Sequence, residues 1–150
     1  MKMWVDADAC PRDAKDLVFR AAKRMQIETI LVANAAMHVP KSPWIRIEIV
    51  GQGLDIADDF IADNVVDEDL VITADIPLAA RIVDKGAACL DPRGGVFDAD
   101  NVKARLATRN LMADLRNEGM FGGGPPPYKP KDRSNFASAL DRLLTRMIRQ

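Results

Sequence analysis

Short apolar runs, most of them rich in β-branched residues, recur along the chain and predict five strands: Lys2–Asp6, Thr29–Ala33, Ile45–Val50, Leu70–Thr73 and Ala87–Leu90. Between most of them the apolar residues return at helical spacing instead. Leu17, Val18, Ala21, Ala22 and Met25 share one face of a first helix that opens at Pro11 and runs to about Met25. A second helix is predicted over Leu54–Val65 and a third over Ile76–Lys85, stopped by Gly86. A fourth covers Ala99–Glu118, with Asp98 or Asp100 as cap and Gly119 as stop. The last, over 134–149, carries Phe136, Ala137, Leu140, Leu143, Leu144 and Met147. Strands that alternate with helices of this length predict an α/β protein of three layers, its sheet mainly parallel and covered on both faces. Residues 122–127 read Gly-Gly-Gly-Pro-Pro-Pro, which suits neither helix nor central strand. Residues 119–133 are therefore expected to form one exposed, flexible loop that leads to a C-terminal helix packed on the body.

Composition narrows the class without choosing a function. The 150 residues suit a single domain over 1–150, and 48% hydrophobic with 29% charged residues is ordinary for a globular chain. The net charge of −1 sets up no global field that attracts a polyanion, so a nucleic acid would need a local basic patch. Two cysteines, Cys10 and Cys89, lie far apart without metal-ligand spacing, which argues against a zinc knuckle or a disulfide framework and fits a reducing cytoplasm. No apolar run reaches membrane-spanning length and the charged start is not a signal peptide, so no membrane association is expected.

The candidate chemistry is carboxylate chemistry. The first strand, Met3-Trp4-Val5, ends in Asp6-Ala7-Asp8, and buried negative charge is costly unless paired or given a cation. Residues i and i+2 of a strand share a face, so Asp6 and Asp8 converge if the strand extends through both. The fourth strand repeats the pattern, leaving through Thr73-Ala74-Asp75, although Asp75 can equally cap the helix that starts near Pro77. On the second helix Asp58 lies beside the apolar stripe Leu54, Ala57, Ile61 and Val65. Asp59 and Asp63 point away, and Asp55 is intermediate, near the helix start. Asp6, Asp8, Asp58 and Asp75 thus form a candidate Mg²⁺ or Mn²⁺ site, with Asp55 and Asp59 as second choices. Such a cation lowers the pKa of a bound water and neutralises charge on a phosphate.

At these residues the chain resembles a known family. Val5-Asp6-Ala7-Asp8-Ala9-Cys10-Pro11, Asp55-Ile56-Ala57-Asp58-Asp59 and Val71-Ile72-Thr73-Ala74-Asp75-Ile76-Pro77-Leu78-Ala79 are similar to the YaiI/YqxD family of small bacterial proteins of unassigned function. Pro92-Arg93-Gly94, Arg109, Gly123-Gly124-Pro125 and Asp132-Arg133-Ser134-Asn135-Phe136 carry the resemblance along the rest of the chain. That family in turn resembles a branch of the PIN-like nucleases. The resemblance implies a Rossmann-like domain with its acidic site at the strand C-termini. Asp6 would match the first-strand aspartate and Thr73-x-Asp75 the downstream Thr/Ser-x-Asp element. Asp58 would stand where PIN domains carry a helix carboxylate, usually Glu. For a fourth acid, Asp91 follows the fifth strand and Asp8 is the substitute.

Arg93, Arg109, Lys129, Lys131 and Arg133 are the candidate phosphate contacts, the last three as a flexible arm able to close over a nucleic-acid backbone. His38, the only histidine, reads as a surface residue, Cys10 as a packed thiol despite its place at a helix start, and Cys89 as core. Trp4 and Trp44 read as core or rim, and Gly51-Gln52-Gly53 as a turn. The leading expectation is a Mg²⁺- or Mn²⁺-dependent phosphodiesterase acting on RNA or another nucleic acid. The rivals are a PIN-like module that binds nucleic acid or a partner without turnover, and a haloacid-dehalogenase-type phosphatase with Asp6 as nucleophile and Lys85 as its lysine.

Overall fold

The structure is a computed structural model that describes residues 1–53, 55–119 and 126–149. Six strands form one sheet: β1 (Lys2–Asp6), β2 (Glu28–Ala33), β3 (Ile45–Ile49), β4 (Leu70–Ile72), β5 (Ala88–Leu90) and β6 (Val96–Phe97). Their order is β3-β2-β1-β4-β5-β6, and every pairing is parallel except β5 with β6. Five helices accompany them, three of them between strands and two after β6: α1 (Arg12–Met25), α2 (Ile56–Asn64), α3 (Ile76–Asp84), α4 (Val102–Asn117) and α5 (Pro130–Ile148). The result is the three-layer, Rossmann-like α/β architecture that the alternating pattern predicts.

Side-chain alternation along the strands separates the two apolar layers. Met3, Val5, Leu31, Leu70 and Ile72 pack on one face against α1 and α5, where Val18, Phe136 and Leu144 are fully buried. Trp4, Ile30, Val32, Val71 and Cys89 pack on the other against Ile61 of α2, Leu78 and Ile82 of α3 and Val102 of α4. Asp6 follows Trp4 in parity and Thr73 follows Val71. Both therefore belong to the layer of α2 and α3. Burial of both faces is why the central strands read as unbroken apolar runs.

Local chemistry sets the boundaries. Gln26 adopts left-handed φ (54°) and ends α1, its N–H reaching the Ala22 carbonyl. Gly86, at φ 83°, follows α3 as the left-handed residue that terminates a helix. β6 escaped the sequence reading because a two-residue strand has no period to detect. It is defined by the antiparallel register Cys89↔Phe97 and Leu90↔Val96 across the turn 91–95. At the opposite edge, β3 carries Arg46, ion-paired to Glu28 (3.6 Å) and to Glu48.

The predicted loop over 119–133 needs correction at its far end. Residues 120–125 lie outside the described residues, but α5 already begins at Pro130. Pro130 is tolerated in a first helical turn, where its missing N–H has no partner to lose. Asp132 then draws the turn together by accepting the Lys129 N–H (2.9 Å). Lys131 and Arg133 are thus helical residues of α5 and not part of a flexible arm.

Candidate functional site

In this strand order the chain leaves β1 towards β2 on one side, whereas β4 continues towards β5 on the other. The crevice outside the C-terminal ends of β1 and β4 is the switch point where open α/β sheets bind ligands. A cavity of about 250 Å³ sits there, lined by Asp6, Asp8, Asn34, Asp55, Asp58 and Asp75 among others. The four carboxylates predicted from sequence therefore meet, together with Asp55 from the second choices. Asp59 does not join them. It faces away and accepts from Arg81 Nη1 at 2.7 Å, as its position off the apolar stripe of α2 requires.

Each carboxylate is held differently. Asp6, the last residue of β1, is 8% exposed, and its Oδ2 accepts the Thr73 hydroxyl at 2.9 Å. Thr73 Oγ1 in turn accepts the Asp75 N–H (3.0 Å), so one buried hydroxyl ties the ends of two neighbouring strands together. Asp75 Oδ1 caps α3 by accepting the Leu78 N–H at 2.9 Å. Asp75 thus both caps α3 and lines the cavity. Asp8 reaches the cavity by another route than expected. β1 stops at Asp6, so strand alternation does not align the pair. Asp8 is exposed in the following turn, and its Oδ2 accepts the Asn34 N–H (2.8 Å) at the exit of β2. Asp55 precedes α2 in a left-handed conformation (φ 65°).

Crowding shows in the protonation equilibria. Burial pushes the Asp6 carboxyl up, and Asp75 and Asp8 add to the effect against the opposing Thr73 hydrogen bond. Asp58 is pushed up to about 7 by partial burial, by the charges of Asp75 and Asp6, and by a hydrogen bond to Asp75. Among the described residues no three carboxylate, histidine or cysteine groups are gathered into a ready-made cation cage. The donor set is nonetheless all hard oxygen, the kind that suits Mg²⁺ or Mn²⁺. It includes the side-chain oxygen of Asn34, buried and without a hydrogen-bond partner among the described residues. Asn34 was missed from sequence, since only the side-by-side pairing of β1 and β2 brings it to Asp8.

Several predicted residues have other roles. Asp91 accepts the Arg93 N–H (2.7 Å) and pairs with Arg105 at 3.6 Å, so it is already neutralised and does not line the cavity. Arg93 holds the C-terminal segment to the β5–β6 turn. Its Nη1 donates to Asp132 (2.8 Å), its Nη2 to the Pro126 carbonyl (2.5 Å), and its guanidinium stacks 5.6 Å from the Tyr128 ring centre. The Tyr128 hydroxyl closes this clasp by donating to the Pro92 carbonyl at 2.8 Å. Lys129, Lys131 and Arg133 lie just before and within the first turn of α5, on the opposite face of the sheet from α2 and α3. None of the five cations lines the cavity, and Arg109 lines a separate groove with Ile76, the residue after Asp75. Lys85 Nζ donates to the Ala62 carbonyl (2.5 Å) at the far end of α3, away from Asp6. Burial pushes the Cys10 thiol up to about 12 and raises that of Cys89, as packed thiols should behave. His38 is exposed and Trp4 is core, as read from sequence.

Fold and site together define an α/β protein with a carboxylate-lined cavity at its topological switch point. The chain belongs to the uncharacterised YaiI/YqxD family, whose model matches residues 4–146. It is 54% identical over 150 residues to a UPF0178 protein of Citrifermentans bemidjiense, covering 100% of this chain and 97% of that one. A UPF0178 protein of Geobacter metallireducens is 53% identical with the same coverage. One from a Marinomonas species is 48% identical, over 99% of this chain and 100% of that one. No solved structure matches. No described helix is long and apolar enough to cross a membrane.

Proposed function

We propose that this chain is a PIN-like, Mg²⁺- or Mn²⁺-dependent phosphodiesterase acting on nucleic acid. The observation that carries this reading is the convergence of five carboxylates from three separate stretches of chain on one switch-point cavity. Asp6, Asp58 and Asp75 would hold the cation, with Asp8 and Asp55 on the outer side. A divalent cation bound there supplies charge neutralisation for a phosphodiester and acidifies a water ligand. The chain's own part is positional. Thr73 fixes the Asp6 carboxylate relative to the Asp75 backbone, and the α3 cap orients Asp75. Asp58, with its pKa near neutrality, can take or release a proton at the cavity mouth.

Manganese titration by calorimetry, with cleavage of single-stranded RNA in Mn²⁺, tests the reading on wild type, Asp6→Asn and Asp75→Asn. Binding and cleavage in the wild type, both lost in each variant, are expected. Cleavage that survives both substitutions overturns it. The absence of a preformed cage among the described residues favours one second reading, a module that binds nucleic acid without turnover. RNA binding that persists in EDTA, without cleavage in Mn²⁺, would select that reading.

A further inference from the structure

We infer that the exposed flank of α4 is a track for the phosphate backbone of single-stranded nucleic acid, leading it to the carboxylate cavity. The inference rests on the proposed chemistry of that cavity and adds where the strand runs. A groove of about 370 Å³ lies between the start of α3 and the middle and end of α4, lined by Ile76, Arg105, Thr108, Arg109, Met112 and Arg116 among others. Ile76, which lines this groove, follows Asp75, which lines the cavity. A second cavity pairs Ala80, Val83 and Asp84 of α3 with Val102 and Lys103 of α4. The two helices are thus antiparallel, and α4 points its C-terminal half towards the carboxylate end of the sheet. α3 has 9 residues and α4 has 16, so α4 overhangs its neighbour at that end.

The charges on this flank are ordered. Arg105, Arg109 and Arg116 are separated by four and seven residues and fall on one helical face, spaced about 6 Å and 10 Å along the axis. Arg109 and Arg116 are exposed and have no carboxylate partner within ion-pair distance among the described residues. Arg105 is steadied by Asp91 and by the Phe97 ring, 4.2 Å from its guanidinium carbon, yet still lines the groove. Over its whole length α4 carries four cations against the one carboxylate of Asp114, in a chain whose net charge is −1. The cavity itself repels phosphate, so a polyanion must gain its affinity beside it, and this flank provides cations there. Met112 and Ile76 give the groove an apolar floor that base faces can cover, which isolated surface cations do not offer.

Fluorescence anisotropy with a labelled oligouridylate in EDTA, across a salt series, tests the track without calling on the cation. Wild type should bind, and Arg109→Ala/Arg116→Ala should bind at least about tenfold more weakly. The slope of log affinity against log salt should fall by about 1.4, the loss of two single-strand phosphate contacts. Arg109→Lys/Arg116→Lys should retain most of the binding, and matched melting temperatures show that all variants fold. The track is overturned if wild type does not bind, if the alanine variant binds as wild type does, or if a duplex binds as tightly. It is also overturned if polyglutamate displaces the RNA at equal charge, which would point to an acidic protein partner. Manganese titration run alongside separates the two ideas. Oligouridylate binding without Mn²⁺ binding leaves the track and removes the phosphodiesterase, and the reverse result removes only the track.

Discussion

At the scale of single residues, the most informative group is Asp58, whose carboxyl is raised from 3.8 to about 7. Between those values the folded chain keeps a proton that the unfolded chain has released. Stability conferred by the protonated carboxyl is therefore full below about pH 4 and is lost as pH rises through 7. Discounted for solvent screening at a partly exposed site, the loss is on the order of 1–2 kcal/mol. Asp58→Asn should remove that component, so its melting temperature in EDTA should gain on wild type between pH 5 and pH 8. Mn²⁺ should stabilise wild type more at pH 8 than at pH 5, since it must displace the same proton. A second carboxylate, Asp69, has a structural part of its own. It is 2% exposed and accepts the N–H groups of Lys2 and Val66 and the Trp4 indole N–H, all at 2.9–3.0 Å, where β1 and β4 begin. Asp69→Ala leaves three donors without a partner and should cost about 2–4 kcal/mol, read in chemical denaturation, with Mn²⁺ binding unchanged. Asp69 and Asp75 flank the same apolar run, and because β4 runs parallel to β1 Asp75 lies at the cavity end and Asp69 at the opposite one.

At the scale of elements, alternation and helical spacing located five strands and five helices to within a few residues, because burial on two faces leaves long apolar signals. The carboxylates of β1 and β4 were legible for the same reason, as charges at the ends of core strands. What was not legible depended on contacts between distant segments. The β5–β6 turn meets α5 so closely that Gly94, at φ 99°, would place an added Cβ 2.8 Å from the Asn135 carbonyl carbon. Arg93, beside it, therefore became part of a clasp, while its position after a strand suggested a phosphate contact. Gly94→Ala must displace α5 and adopt a disfavoured φ, at a cost of about 2–3 kcal/mol. Its melting temperature should fall by roughly 4–12 °C, while Gly95→Ala, nearest Arg105 Nη1 at 3.4 Å, should fall less.

At the scale of the whole molecule, the strand order decides which residues share a site. Asp6 and Thr73 are 67 positions apart in sequence, yet they hydrogen-bond because β1 and β4 are neighbours. No local pattern contains that pairing, whereas the fold class, once assigned, predicts where a switch point must fall. The same order leaves β3 and β6 as the outermost strands. β6 is only two residues long, and β3 presents Arg46 and Glu48 in mutual ion pairs. Neither offers a long uncharged ladder on which another chain can build. Arg46→Val/Glu48→Val should lengthen the apolar run of β3 and raise light scattering at high protein concentration, with little change in the melting temperature. The two blunted borders would thus act as colloidal guards, keeping a crowded population of these molecules from stacking into fibrils through their own backbone.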